Sequence, residues 1–218
     1  MRPFRVGLTI LVLMATTASF ATTSVAADVV ASVINRRGEP VEDAVISLVA
    51  QAEKSANIKP LHRTAVMSQS DSKFNPFVLP ILVGTEVRFP NKDSIGHHVY
   101  SFSKAKTFEL KLYGGDDLKT VKFDKPGTVV LGCNIHDSMI AYIYVVETPY
   151  FAKTGTSGKI VIDDLPAGAY LVQIWHPRIK GNPAKHDQKI VLAAAEQTEL
   201  SFELSLKRKR ATGHKNSY

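Results

Sequence analysis

The 218-residue sequence predicts an all-β protein, and three observations lead to that prediction. Short apolar segments recur at intervals of about 8–12 residues, which is the spacing of strands in antiparallel sandwiches and barrels. Turns that contain glycine or proline separate these segments. Helical periodicity is nearly absent, with one weak candidate at 53–57. At roughly 100–200 residues per domain, the chain has room for one large domain or two small ones.

Each predicted strand is a short run of apolar, β-branched or aromatic residues that ends close to a turn. The clearest turns lie at 37–40, 114–117, 125–127 and 166–168. The predicted strands are, in chain order, 29–34, 44–49, 86–89, 98–102, 107–112, 119–123, 129–133, 140–146, 159–162, 170–175, 189–192 and 200–206.

The composition is that of a soluble globular protein, because 44% hydrophobic and 22% charged residues supply both a core and a hydrated surface. The only long apolar stretch lies at the N-terminus, which excludes a membrane-embedded helix bundle. A single cysteine, Cys133, excludes a scaffold held together by disulfides.

Residues 1–27 are predicted to be an export signal. Arg2 and Arg5 precede an apolar segment at 6–15, and Val25-Ala26-Ala27 has the small residues of a cleavage site. The apolar segment is shorter than the roughly 20 residues that span a bilayer. We therefore expect a periplasmic protein with no integral membrane segment after the signal is removed.

Residues 207–218 are predicted to form a disordered basic tail, because the segment contains five basic residues and no acidic ones. Between residues 28 and 206 the basic and acidic residues balance at 20 each. A neutral body with a charged end is not the pattern of a nucleic-acid-binding protein, which carries its charge on the fold. Contact of the tail with an anionic membrane or an acidic partner is the alternative to a solvated end.

Three roles are open for Cys133 in an oxidising compartment: an inert core residue, an intermolecular disulfide or a metal ligand. Its neighbours favour the ligand role. The loop Cys133-x-x-His136-x-x-Met139 lies between two apolar strands and offers a thiolate, an imidazole and a thioether, which together suit copper. A trigonal site with a weak axial methionine needs one more imidazole, which the upstream His97 or His98 can supply.

The segments around these residues resemble the cupredoxins, the small blue copper proteins that include plastocyanin, amicyanin and azurin. The C-x-x-H-x-x-M spacing at 133–139 is similar to the amicyanin ligand loop, and F-P-N-K-D-S-I-G-H-H-V at 89–99 is similar to the family's first ligand strand. A third segment, at 71–87, resembles the opening strands. Proteins of this layout include some labelled methylamine-utilisation proteins. The resemblance implies a Greek-key cupredoxin domain at 62–148 that holds one type 1 copper ion.

The position of the upstream ligand follows from the alignment of Asn91 with the family's asparagine, which places His97 on the ligand histidine. Strand alternation agrees, because His97 and Val99 would face one side of the strand and His98 the other. The resemblance therefore implies the ligand set His97, Cys133, His136 and Met139. His98 remains the alternative to His97.

Two flanking segments resemble the carboxypeptidase-regulatory, transthyretin-like β-sandwich. The segment at 33–48 contains a strand, a Gly-x-Pro turn and a second strand, and the segment at 158–170 has the pattern G-x-I-x-I-x-x-L-P-x-G-x-Y. They predict a small accessory sandwich in two parts, 28–58 and 153–206, with the cupredoxin domain inserted into it or packed against it. One enlarged sandwich with extra edge strands is the alternative.

The cupredoxin resemblance implies a carrier of single electrons between redox proteins, such as a cytochrome or a dehydrogenase, and not an enzyme. An exposed edge at His136 would exchange electrons, and Ile95 and Ile135 would contribute an apolar docking patch. The chain lacks the second cysteine of a binuclear copper centre, the His-x-His motifs of multicopper oxidases and the common hydrolase motifs. Two alternatives remain: a module that stores, delivers or senses copper, and a structural envelope sandwich in which Cys133 is inert.

Overall fold

The computed structural model describes residues 26–51, 63–115 and 117–208, in which 17 strands and one short 3₁₀ helix form. The all-β prediction is therefore confirmed. The helical candidate at 53–57, the export signal up to residue 25 and the tail from residue 209 lie outside the described residues. Ala27, at the end of the predicted export signal, is the first residue of a strand. None of the described helical residues forms a segment that is long and apolar enough to cross a membrane.

The regular elements follow one another with short connections. They are β1 (Ala27–Asn35), β2 (Val45–Ala50), β3 (Thr64–Val66), β4 (Ser68–Ser70), β5 (Lys73–Asn75), β6 (Val78–Leu82), β7 (Thr85–Phe89), β8 (His97–Ser103), β9 (Lys106–Tyr113), β10 (Lys119–Phe123), β11 (Gly127–Cys133), β12 (Ile140–Val146), β13 (Phe151–Lys153), β14 (Lys159–Leu165), β15 (Gly168–Trp175), the 3₁₀ helix Pro183–His186, β16 (Gln188–Leu192) and β17 (Gln197–Leu204).

The strands at the two ends of the described chain pair with one another. One sheet has the order β14-β1-β17 and the other the order β13-β2-β15-β16. Their facing side chains form one continuous core, which we call the flanking sandwich. Alternation along β1 places Val29, Ala31 and Val33 in this core, as expected for strands with one buried face.

The strands between them form a second core, which we call the central sandwich. Its sheets have the orders β10-β7-β3 and β6-β12-β11-β8-β9, and β4 and β5 form a separate hairpin. Phe89, Phe123, Leu131 and Ile143 are fully buried between these sheets. The five-stranded sheet carries β8 and β11 as neighbours, and these two strands position the candidate site.

A small aromatic junction joins the two sandwiches. Trp175 of β15 stacks on Tyr144 of β12, with ring centroids 4.5 Å apart and planes within 6° of parallel, and its ring meets the edge of Tyr142. Val45 and Val78 complete this cluster. Because the second face of β2 is covered here, residues 45–48 are all buried, and the strand shows no alternation.

Five strands are absent from the sequence-based prediction, for identifiable reasons. Strand β6 contains Pro80, which cannot donate a backbone hydrogen bond, and it forms an edge of the five-stranded sheet where that loss is tolerated. The others, β3, β4, β5 and β13, have three residues each, and β4 is wholly polar. Segments this short carry no usable periodicity.

His176, which follows Trp175, is a buried titratable group away from the candidate site. It is 2% exposed, and its Nδ1 accepts a hydrogen bond from the backbone N–H of Arg178 at 3.0 Å. Burial, reinforced by the Arg178 guanidinium, lowers the pKa of His176 to about 4, although Asp43 and the backbone of Glu42 partly oppose the shift.

We predict that His176 makes the fold less stable in mild acid. The unfolded chain takes up the proton near pH 6.5 and the folded chain only near pH 4. The contribution of His176 to the free energy of unfolding is therefore fully present above pH 6.5. It falls by up to about 3 kcal/mol as the pH drops to 4. Urea unfolding at several pH values would measure this loss, and His176→Asn, whose amide oxygen can replace Nδ1 as acceptor, should abolish most of it. An equal acid dependence in the variant would contradict the assignment.

Candidate metal centre

Three potential metal ligands, from two separate segments of the sequence, meet at one end of the central sandwich. His97 begins β8, Cys133 ends β11, and His136 lies in the loop before β12. One ligand atom from each of the three lies within 4.8 Å of those of the other two. Strand pairing brings them together, because Cys133 lies opposite Val99 in the antiparallel β8–β11 ladder.

The β8–β11 register is held by a close contact beside Cys133. Gly132 lies opposite Tyr100, and the Tyr100 ring occupies the space above the Gly132 backbone. A Cβ atom at position 132 would lie 2.8 Å from the ring, too close for any ordinary contact. Glycine at this position therefore leaves room for the Tyr100 ring, which lies across the ladder beside Cys133.

The histidine and the cysteine at the centre of the site are inaccessible to solvent. His97 is 0% exposed and Cys133 is 3% exposed, and His97 Nδ1 lies 3.8 Å from Cys133 Sγ. The His136 ring packs against that of His97, with centroids 5.3 Å apart and planes at 61°. His136 itself is half-buried, so one edge of the site faces the solvent.

The donor atoms fit a bound metal ion. His136 Nδ1 is buried and has no hydrogen-bond partner. A buried polar atom that loses its hydrogen bond to water and gains no other costs roughly 1–3 kcal/mol of folding free energy. A metal ion held by this nitrogen would remove the cost. A thiolate and two imidazoles are the planar ligands of a blue-copper site, and this pairing of one sulfur with two nitrogens favours copper over magnesium or calcium.

Met139, the predicted axial ligand, lies in the same region of the core. It is 1% exposed and packs in the hydrophobic cluster that contains Cys133. Its backbone N–H donates to the His136 carbonyl at 2.9 Å, which closes the loop after Cys133 into a turn. The turn returns the chain to the core at Met139, whereas residues 134, 135, 137 and 138 are exposed.

His97 is oriented from its other side by Asp93, which the sequence analysis did not single out. Asp93 Oδ2 lies 2.7 Å from His97 Nε2, and the same carboxylate accepts the backbone N–H groups of Asp71 at 2.7 Å and Ser72 at 3.1 Å. Asp93 donates its own N–H to Asn91 Oδ1 at 2.9 Å. Partial burial opposes ionisation of Asp93, but the hydrogen bonds outweigh it and lower the pKa of the carboxyl below its usual range.

Buried polar groups behind Asp93 make the support rigid. Asn91 Nδ2 donates to the carbonyls of Ile95 at 2.8 Å and Tyr113 at 3.2 Å. The Tyr113 hydroxyl donates to the Phe89 carbonyl at 2.8 Å and accepts from Gln69. Burial, with Cys133 nearby, raises the pKa of Tyr113 to about 12, so the hydroxyl keeps its proton as a donor at neutral pH.

His98 lies outside the cluster, on the opposite face of β8. Its side chain is 19% exposed, and Nε2 lies 2.8 Å from Glu109 Oε1, within ion-pair distance when the ring is protonated but without hydrogen-bond geometry. His98 lines a surface groove of about 430 Å³ together with Tyr100 and Phe102. Of the other histidines, His176 and His186 belong to the flanking sandwich region, whereas His62 and His214 lie outside the described residues.

The position of Asp93 in the sequence could have indicated its contact with His97. It precedes His97 by four residues in a loop that ends where β8 begins, so its carboxylate can reach the ring nitrogen that faces away from the metal. The backbone donors of Asp71 and Ser72 could not have been predicted in this way, because the β4–β5 turn that presents them lacks the Asn-Gly or Asp-Gly signature of a hairpin.

Comparison with known protein families finds no match, and no curated protein is significantly similar to the chain. Among solved structures, a purple cupredoxin from Nitrosopumilus maritimus is 21% identical over 38% of this chain and 99% of its own, with a TM-score of 0.33. A reduced Cu(I) form of an amicyanin variant is 22% identical over 48% of this chain and 100% of its own, with a TM-score of 0.35. A copper-containing nitrite reductase from Thermus scotoductus SA-01 is 25% identical over 54% of this chain and 28% of its own, with a TM-score of 0.37.

We predict that copper stabilises the protein through His136 and not through His98. A ligand that binds only the native state at about 1,000 times its Kd adds about 4 kcal/mol. Thermal unfolding with and without copper should show a higher Tm for the wild type and for His98→Ala, and little or no shift for His136→Ala. A copper-dependent shift that survives His136→Ala and disappears in His98→Ala would reverse the assignment.

Proposed function

We propose that this protein is a periplasmic type 1 copper protein of the cupredoxin kind that carries single electrons between redox proteins. The observation that supports the proposal most strongly is the cluster of His97, Cys133 and His136, whose ligand atoms lie within 4.8 Å of one another. Bound copper would supply one-electron chemistry by cycling between Cu(II) and Cu(I). No catalytic residue is part of the proposal.

The residues of the site have separate roles in this proposal. Cys133 would hold the ion as the thiolate, together with the imidazoles of His97 and His136. Met139 would supply the weak thioether ligand that tunes the reduction potential. The two ladders of β11, to β8 and to β12, fix both ends of the loop that carries His136 and Met139, which would limit reorganisation on electron transfer.

An apolar surface beside His136 supports protein docking at the solvent-facing edge of the site. Ile95 and Ile135 are about half exposed, at 46% and 50%, and Leu112 is 64% exposed. Leu112 lies over Gly96, which separates Ile95 from His97 in the chain, and Ile135 directly precedes His136, so each of these apolar side chains is close in sequence or space to a predicted ligand. Exposed apolar groups clustered around a site of electron exit suit brief, weak complexes between redox proteins.

The domain organisation remains part of the proposal. We infer a cupredoxin domain at 62–148 inserted between the two parts of an accessory sandwich, 28–58 and 153–206. The pairing of β1 with β17 and of β2 with β13 supports this organisation, because these strands come from both sides of the insertion. The aromatic junction at Trp175 would hold the two domains in one orientation.

Rapid electron exchange distinguishes a carrier from a copper store. We predict that the copper-loaded protein exchanges electrons with its own copies fast enough to broaden its NMR signals in mixtures of the two oxidation states. Ile135→Lys should slow this exchange on the order of tenfold or more, because two lysines would face each other in the encounter complex. Val191→Lys makes a matched change at a residue that is 78% exposed on the flanking sandwich, and it should leave the rate unchanged. Exchange too slow to detect in the wild type would favour a storage or delivery module.

Axial coordination by Met139 has its own test. Met139→Gln replaces a soft thioether with a harder amide oxygen, so we expect a lower reduction potential, since the harder ligand favours Cu(II). Voltammetry of the copper-loaded variant and wild type measures the difference. An unchanged potential would refute coordination by Met139.

A further inference from the structure

The β4–β5 hairpin, which belongs to neither sheet of the central sandwich, contacts the candidate metal centre through the Asp93 carboxylate. The β4–β5 turn consists of Asp71 and Ser72, both with left-handed backbone (φ 54° and 53°), a conformation that turns two successive N–H groups towards one point. Both N–H groups donate to Asp93, Asp71 to Oδ1 and Ser72 to Oδ2. The carboxylate is thus held on both oxygens before it meets the metal site.

The remaining contact of this carboxylate determines which nitrogen of His97 carries the proton. Asp93 Oδ2 lies 2.7 Å from Nε2, and an ionised carboxylate can only accept a hydrogen bond. Nε2 must therefore carry the proton, which leaves the lone pair of Nδ1 directed to the side on which Cys133 Sγ lies, at 3.8 Å. His97 is fully buried, so no water competes for either nitrogen.

We propose that Asp93, fixed by the β4–β5 turn, is the positioning residue of the metal site: it selects the Nε2–H tautomer of His97 and presents Nδ1 to the metal. The presentation of Nδ1 to the metal rests on the proposed copper function. A carboxylate that accepts a hydrogen bond from Nε2–H also makes the imidazole a stronger donor to a bound ion. The proposal assigns a role in the site to the hairpin, which belongs to neither sheet of the central sandwich and is joined to the loop before β8 by a single bridge between Gln69 and Asn91.

Asp93→Asn tests the role with little change in shape. The amide has one acceptor oxygen where the carboxylate has two, so the variant cannot satisfy all three donors from Asp71, Ser72 and His97 at once. If the NH₂ group faces His97, the ring must take the other tautomer, which blocks Nδ1. Asp137→Asn is the matched control, because it removes the same charge beside His136 from an exposed side chain that has no described hydrogen bond.

The first readout needs no metal. Nitrogen NMR of the imidazole rings in the metal-free protein identifies the protonated nitrogen of His97, and we expect Nε2–H in the wild type and in Asp137→Asn. A larger share of the Nδ1–H tautomer, or exchange between the two, is expected in Asp93→Asn. An Nδ1–H tautomer in the wild type would overturn the proposal, whatever the protein binds.

The second readout uses copper(I) in competition with a coloured chelator, followed by voltammetry. We expect Asp93→Asn to bind copper roughly 10–100-fold more weakly than the wild type and to have a higher reduction potential, while Asp137→Asn shows a smaller change in both. Equal affinity and potential in the two variants would overturn the proposal. A wild type that binds no copper would refute the copper function alone, because the tautomer measurement still decides the role of Asp93.

Discussion

Antiparallel pairing of β8 with β11 is the constraint on which the candidate site depends. Cys133 and His97 belong to neighbouring strands, and a shift of the register by one residue would turn one of them to the opposite face of the sheet. Two features oppose such a shift: the buried faces of both strands in the central core, and the fit of the Tyr100 ring over Gly132. The site thus takes its geometry from the sheet and needs only His136 and Met139 from a loop.

Around this pair, polar contacts supply the precision that strand pairing alone cannot. A buried imidazole can rotate or change tautomer, and either change would remove Nδ1 from the site. Asp93, Asn91 and the polar groups of Tyr113 and Gln69 form a connected set behind the ring, and most of their donors and acceptors are paired. A network that is nearly satisfied holds one arrangement, whereas His136, at the edge, keeps an unpaired nitrogen that suits a metal ligand.

Sequence patterns predicted the parts of this structure that repeat and missed the parts that depend on distant contacts. Alternation located twelve strands, and the chemistry of Cys133, His97 and His136 predicted side chains that the structure brings together. Alternation also placed His98 away from them. The sequence did not predict the short strands β3, β4, β5 and β13, nor β6, which contains Pro80. The role of Asp93 was not predicted, because it depends on contacts with a turn more than 20 residues away in the chain, and a local sequence pattern does not reveal such contacts.

The optical absorption spectrum of the protein after copper addition tests the central claim most directly. A thiolate bound to Cu(II) in a trigonal site gives an intense visible charge-transfer band, and the electron added by a mild reductant removes it. We predict a strongly coloured protein with one copper per chain, bleached by reductant and restored by oxidant. A colourless protein that binds copper in stoichiometric amount would contradict the electron-carrier account, and a protein that binds none would contradict the metal site itself.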